Sequence, residues 1–307
     1  MNSRVESILN KIDTARCVSQ WDAISKLGKK YSKEVGKDNS SFEQILNAEA
    51  ELEIFLSKAK TDPIKHWRND GKIYSSDSSS GRICYEKFNL QHNSQGKKMW
   101  ISFSEKLLGN TELNKIEDSL VRIVAKNPSK EESWQLDTIL AKVYYFSDDI
   151  EKCEIVLNRI PNTFTKSPLG ANYSLRLFIS TFAIKGMILE KQGLLVQALD
   201  LYDSAISIYK EQLGPLALLV VSNNFSKKSE EIINWPEEIL YRRGLVAVSV
   251  LKENGLSRCF DYINNLELSN PSSFRLYRRS IMTKLIIIIS SELYKNDLFE
   301  NYQENLG

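Results

Sequence analysis

Apolar residues recur at intervals of three and four along most of the 307-residue chain. That is the spacing of one helix face, and few segments alternate with period two. The spacing predicts helices from about Ser3 to Ala15, from Gln20 to Lys33 and from Ser41 to Lys60. The third opens on a capping-box pattern, Ser41 with Gln44. Its apolar stripe runs through Phe42, Ile45, Leu46, Leu52, Phe55 and Leu56, a face wide enough to pack on neighbours. Leu113, Ile116, Leu120, Ile123 and Val124 make a second helical stripe. From Arg68 to Lys98 the chain turns polar and rich in Ser, Gly and Asn, which reads as a disordered insertion or long loop with a short ordered piece around Ile83 to Phe88. Helices resume near Met99, and Gly214-Pro215 opens a second break that lasts to Asn234. The expected organisation is N-terminal helical hairpins over 1–67, a polar insertion over 68–98, and repeats over 99–307. The repeats comprise helical hairpins near 134–160, 174–212 and 235–267, then a helix over 272–294.

Within the hairpins, small residues interrupt the apolar stripes at fixed places. With Gly186 at position 8 of the roughly 34-residue tetratricopeptide frame, Phe182 falls at 4, Leu189 at 11, Ala198 at 20, Tyr202 at 24 and Ala205 at 27. Two antiparallel helices whose axes lie about 8–10 Å apart leave room for little beyond Gly, Ala, Ser or Cys where they cross. Gly193 supplies the turn. The frame recurs with Ala141 at position 8, Tyr144 at 11, Cys153 at 20 and Leu157 at 24, about a turn at Ser147–Asp149. It recurs again with Ala247, Cys259 and Ile263, about a turn at Glu253–Gly255. Position 4 fails in these two, with Asp137 and Arg243. The expected fold class is all-α, an α-solenoid of degenerate tetratricopeptide-like helical hairpins.

Charge adds little. Lys and Arg number 41 against 39 acids, a net +2, so no global field draws the chain to nucleic acid or to an anionic membrane. Local basic faces do exist: Lys26, Lys29, Lys30 and Lys33 on the second helix, and Arg275, Arg278 and Arg279 on the last. The four cysteines lie far apart with no Cys-x-x-Cys pair, and Cys153 and Cys259 share the slot of Ala198, which reads as small buried packing residues in a reducing, cytosolic setting. The aliphatic run Leu285 to Ile289 is five residues, far short of the roughly 20 needed to span a bilayer, and reads as a buried helix face.

There are two histidines, His66 and His92, and no phosphate-binding Gly motif, so no catalytic triad, metal site or cofactor site emerges. The residues point to a binding protein without enzymatic activity. A peptide-binding adaptor or co-chaperone of the same repeat class is the alternative, although no set of basic and Asn side chains could be placed along its groove.

"ARCVSQWDAISKL" (Ala15 to Leu27) resembles the opening hairpin of the tetratricopeptide repeat protein seven family, through Arg16, Cys17, Gln20, Trp21, Asp22 and Ile24. "NAEAELEIFL", with Glu53, resembles its next helix. "ILAKVYYFSDDIEKCEIVLNRI" is similar through Ala141, Lys142 and Tyr145, and "YSLRLFISTFAIKGMILEK" through Leu175, Arg176, Ala183, Lys185, Gly186, Leu189, Glu190 and Lys191. The blocks keep their order from about residue 1 to 295. The family is longer, so the chain resembles its N-terminal part, and the segments 68–98 and 213–234 depart from it. The resemblance implies a scaffold that holds the catalytic subunit of a phosphatidylinositol 4-kinase at the inner face of the plasma membrane. It implies a hyccin-type subunit and a palmitoylated membrane anchor as partners, with no cofactor and only peripheral membrane association.

Overall fold

A computed structural model describes residues 3–17, 20–36, 40–57, 83–92, 99–108, 111–126, 128–162, 175–213, 235–268 and 274–295. These are helical except for one strand hairpin. Three N-terminal helices, α1 (Ser3–Cys17), α2 (Trp21–Glu34) and α3 (Ser41–Ser57), precede strands β1 (Ile83–His92) and β2 (Met99–Leu108). Then follow α4 (Thr111–Val124), α5 (Lys130–Phe146), α6 (Ile150–Leu157), α7 (Leu175–Lys191) and α8 (Leu195–Leu213). The last helices are α9 (Trp235–Leu251), α10 (Leu256–Leu268) and α11 (Phe274–Lys295), with a 3-10 turn at Lys252–Gly255.

Each helix packs on the next in sequence, except that α3 is followed by the strand hairpin and then packs on α4. From α3 onward each odd-numbered helix also packs on the next odd-numbered one. The main apolar core runs unbroken from Ile45 on α3 to Leu266 on α10. A second core holds α1 and α2 to α3 through Leu9, Ile12, Trp21 and Ile24. Contacts also join elements far apart in the chain, among them α1 against α7 and β2 against α9.

The helix ends follow local rules. Ser129 and Glu132 close a reciprocal capping box on α5. At α3 the cap is Ser40 rather than Ser41: the Ser40 hydroxyl accepts the Glu43 N–H at 3.2 Å. The turns after α5 and α7 are alike. Asp149 N–H donates to Tyr144 O at 2.9 Å and Leu194 N–H to Leu189 O at 2.9 Å, each across a left-handed residue. Those residues are Asp148 (φ 65°) and Gly193 (φ 75°). Glycine takes that conformation freely and aspartate is one of the few others that tolerates it.

The strand hairpin corrects two expectations. Helices do not resume at Met99, and the boundary at 98 cuts an antiparallel pair that runs from Ile83 opposite Leu108 to His92 opposite Met99. Period-two alternation was there to read in Ile101, Ser102, Phe103 and Ser104. The surrounding Ser and Asn masked it. Strand β2 lies against α5 and α9. The rest of the 68–98 segment and residues 214–234 lie outside the described residues.

Candidate functional site

The small repeat residues sit where helices press together. Ala141, Cys153, Ala198, Ala205, Ala247 and Cys259 are all buried, as are Tyr144, Leu157, Phe182, Tyr202 and Ile263, while Leu189 is half-buried. A Cβ at Gly186 would lie 2.3 Å from Tyr202 Cε1 and 2.5 Å from its Cζ, so the α7–α8 crossing has no space for a side chain there. The Cys153 thiol donates to Ala141 O at 3.1 Å. In the third hairpin the geometry is one helical turn away from the expected pairing. The Cys259 thiol donates to Gly244 O at 3.3 Å, and the Ala247 carbonyl instead faces Gly255, whose Cβ would come within 2.2 Å of it. The reason is the link: a 3-10 turn replaces the shorter connection of the other two hairpins and shifts α10 along α9. Burial pushes both thiols up to about 12, which leaves them protonated and unreactive at neutral pH.

A series of buried polar pairs joins the helices. Arg16 on α1 grips Glu49 on α3, its Nε 3.0 Å from Oε1. Lys142 Nζ on α5 lies 2.7 Å from Glu53 Oε1 on α3, and Trp235 Nε1 on α9 donates to the same oxygen at 3.0 Å. The Lys142 ammonium also sits over the Trp235 ring, 4.6 Å from its centroid. Arg176 Nη2 on α7 donates to the Tyr209 hydroxyl on α8 at 2.7 Å. Glu190 on α7 accepts from the Tyr202 hydroxyl and from Arg242 Nη1, the latter at 3.2 Å to Oε2. Arg242 Nε in turn reaches Glu238 Oε1 at 2.6 Å, and Arg279 Nη2 reaches Glu238 Oε2 at 2.7 Å.

Burial raises the Glu190 carboxyl, opposed by Arg242 and the Tyr202 hydroxyl. The Tyr202 phenol is held well above its ordinary value by the same burial and by the Glu190 charge. Arg16, Glu53, Lys142, Arg176 and Glu190 belong to the sequence blocks singled out above. Glu49 lies in the same block as Glu53 but was not named, and the partners Tyr209, Trp235 and Arg242 were missed. A lone charge inside an apolar helix face, such as Lys142 within "TILAKVYYF", is the signal that a buried partner exists; it does not say which one.

The basic faces divide. Lys26, Lys29, Lys30 and Lys33 are exposed on α2. Lys30 and Lys33 line a cleft of about 550 Å³ whose other wall is α1, carrying Arg4 and Lys11. Arg279 does not belong to a surface patch: it is 2 % exposed, paired with Glu237 and Glu238, and stacked 4.3 Å from the Tyr241 ring. The side chains of Arg275 and Arg278 lie outside the described residues. The aliphatic run on α11 is also not a wholly buried face. Ile286 and Ile287 turn inward, whereas Leu285, Ile288 and Ile289 are 46 %, 59 % and 56 % exposed, because five successive residues point around the whole helix.

Among the described residues, no three His, Cys, Asp or Glu side chains converge as a metal site, and no helix is long and apolar enough to cross a membrane. The buried polar pairs hold the helices in register. No protein-family model, no curated protein and no solved structure matches the chain.

Proposed function

We propose that this chain is a non-catalytic protein–protein interaction scaffold, an α-solenoid of degenerate tetratricopeptide-like hairpins. In this reading it holds a phosphatidylinositol 4-kinase catalytic subunit at the inner face of the plasma membrane, together with a hyccin-type subunit and a palmitoylated anchor. The observation that carries it is the fate of the residues behind the resemblance. Arg16, Glu53, Lys142, Arg176 and Glu190 all find buried partners on another helix. Residues that stand out in a sequence of this kind are then positional: they set how helix pairs stack and leave the outer faces for partners.

The peptide-adaptor reading loses support from the same geometry. Side chains of α3, α5 and α9 fill the junction at Glu53, Lys142 and Trp235 and leave no opening there for a peptide.

Affinity purification of the tagged chain from its native cell, followed by mass spectrometry, tests the proposal. It should recover a phosphatidylinositol 4-kinase in excess over a mock purification. Recovery of chaperones alone, or of no kinase from cells where one is expressed, refutes it.

A further inference from the structure

We propose that the cleft between α1 and α2 is a docking groove for an acidic, extended peptide segment of a partner protein. The proposal goes beyond the scaffold reading, and its test succeeds or fails whichever enzyme the chain holds.

The cleft has two walls of like charge. Arg4 and Lys11 come from α1, Lys30 and Lys33 from α2, and Glu34 is the single acid in the lining. That leaves an excess of three positive charges in one cleft, more than the net +2 of the entire chain. Arg4 on α1 lies 3.9 Å from Glu34 on α2. Among the described residues Lys11, Lys30 and Lys33 form no ion pair and are exposed. Cations that face one another without a shared anion repel, and an anion placed between them relieves the repulsion on both sides.

Shape selects the kind of anion. Arg4 and Lys11 stand two turns apart on α1, about 10 Å along the axis, and Lys30 and Lys33 stand about one turn apart on the α2 wall. A single phosphate reaches one end of such a trough. An extended chain rising about 3.3 Å per residue covers it with three or four residues and sets carboxylates against both walls. The lining also includes Ser7 and the apolar Ile8, which suit a backbone and a small side chain. A flat layer of lipid headgroups touches the rims of a concave cleft but not its floor. Lys26 and Lys29, exposed on the same helix outside the lining, extend the field that draws an acidic segment in.

The test is fluorescence anisotropy with a dye-labelled peptide of alternating Glu and Ser, beside the same peptide with Gln for Glu. The unmodified chain, Lys30→Glu/Lys33→Glu, Lys11→Glu and the charge-matched control Lys115→Glu/Lys130→Glu are compared, with thermal melts to verify folding. The Glu peptide should bind the unmodified chain and weaken as salt is added, and the Gln peptide should not bind. Each cleft variant should lose about tenfold in affinity or more, ~1.4 kcal/mol, while the control stays within about twofold. Equal weakening in the control, or no binding of the Glu peptide at low salt, overturns the proposal. So does lysine-dependent capture by phosphatidylserine vesicles that the Glu peptide fails to displace. The Lys11 variant stands on the opposite wall and gives an independent reading if the α2 variant does not fold.

Discussion

Replacing Lys142 by Met probes the deepest of the polar pairs. Lys142 and Glu53 are each 1 % exposed or less, 2.7 Å apart, and come from helices 89 residues distant in the chain. Methionine nearly matches the lysine stem in volume, so packing changes little. What changes is charge. The Glu53 carboxylate would keep one donor, Trp235 Nε1 at 3.0 Å, while its other oxygen already has no partner. Stripping one member from a buried pair costs about 3–5 kcal/mol, because the remaining ion stays out of water without compensation. Typical domains have about 5–15 kcal/mol in total, so the variant should unfold at markedly lower urea concentration.

Removing the second charge should return much of the loss. Glu53→Gln keeps an acceptor for Trp235, and the double variant should be more stable than Lys142→Met alone by about 1–3 kcal/mol. Urea melts followed by far-UV circular dichroism and by tryptophan fluorescence measure both, since Trp235 sits inside the cluster. A Lys142→Met loss under about 1 kcal/mol, or simple additivity in the double variant, would show that the pair is not buried as described.

Gly186→Leu should destabilise the chain by about 1–3 kcal/mol or more, because even its Cβ meets Tyr202 at 2.3 Å. Tyr202→Leu in the same background should recover part of that cost, and a melt unchanged by Gly186→Leu refutes the crossing. Asp13 carries a pH prediction. Burial lifts its carboxyl to about 6 from 3.8, against the pull of Arg16 and Arg176. The folded state then binds the proton more tightly than the unfolded one, so stability falls as pH rises from about 4 to 6 and levels off above. The difference amounts to ~3 kcal/mol at most. Asp137 and Glu190 are raised as well and act in the same direction. The readout is therefore the difference between the parent and Asp13→Asn, whose stability should fall less over that range in urea melts at stepped pH. Parallel pH profiles would refute it.

Much of the local order is legible in the residues alone. Helix periodicity, the turn at Gly193 and the need for a small residue at Gly186 depend on neighbours close in the chain, and such preferences survive in any tertiary context. The strand hairpin was missed for the opposite reason: a short alternating run set among Ser and Asn carries a weaker signal than a long helical stripe. The third hairpin shows a further limit. Ala247 and Cys259 match the repeat in spacing, yet Cys259 meets Gly244, because the conformation of one short link decides how far a helix slides along its partner. The basic faces show it too. Arg279 and Lys33 look equivalent in a list of charges, but Arg279 is buried between two glutamates and Lys33 lines an open cleft.

What the sequence determined by itself was the helical character, the paired arrangement of neighbouring helices and the set of charges too isolated in apolar faces to be solvated. Tertiary structure alone decided which partners those charges take. Glu53 meets Lys142 and Trp235 across 89 and 182 residues of chain. A buried charge must be paired wherever it is, but the partner is selected by how helix pairs stack, a sum of many small packing terms that no local pattern encodes.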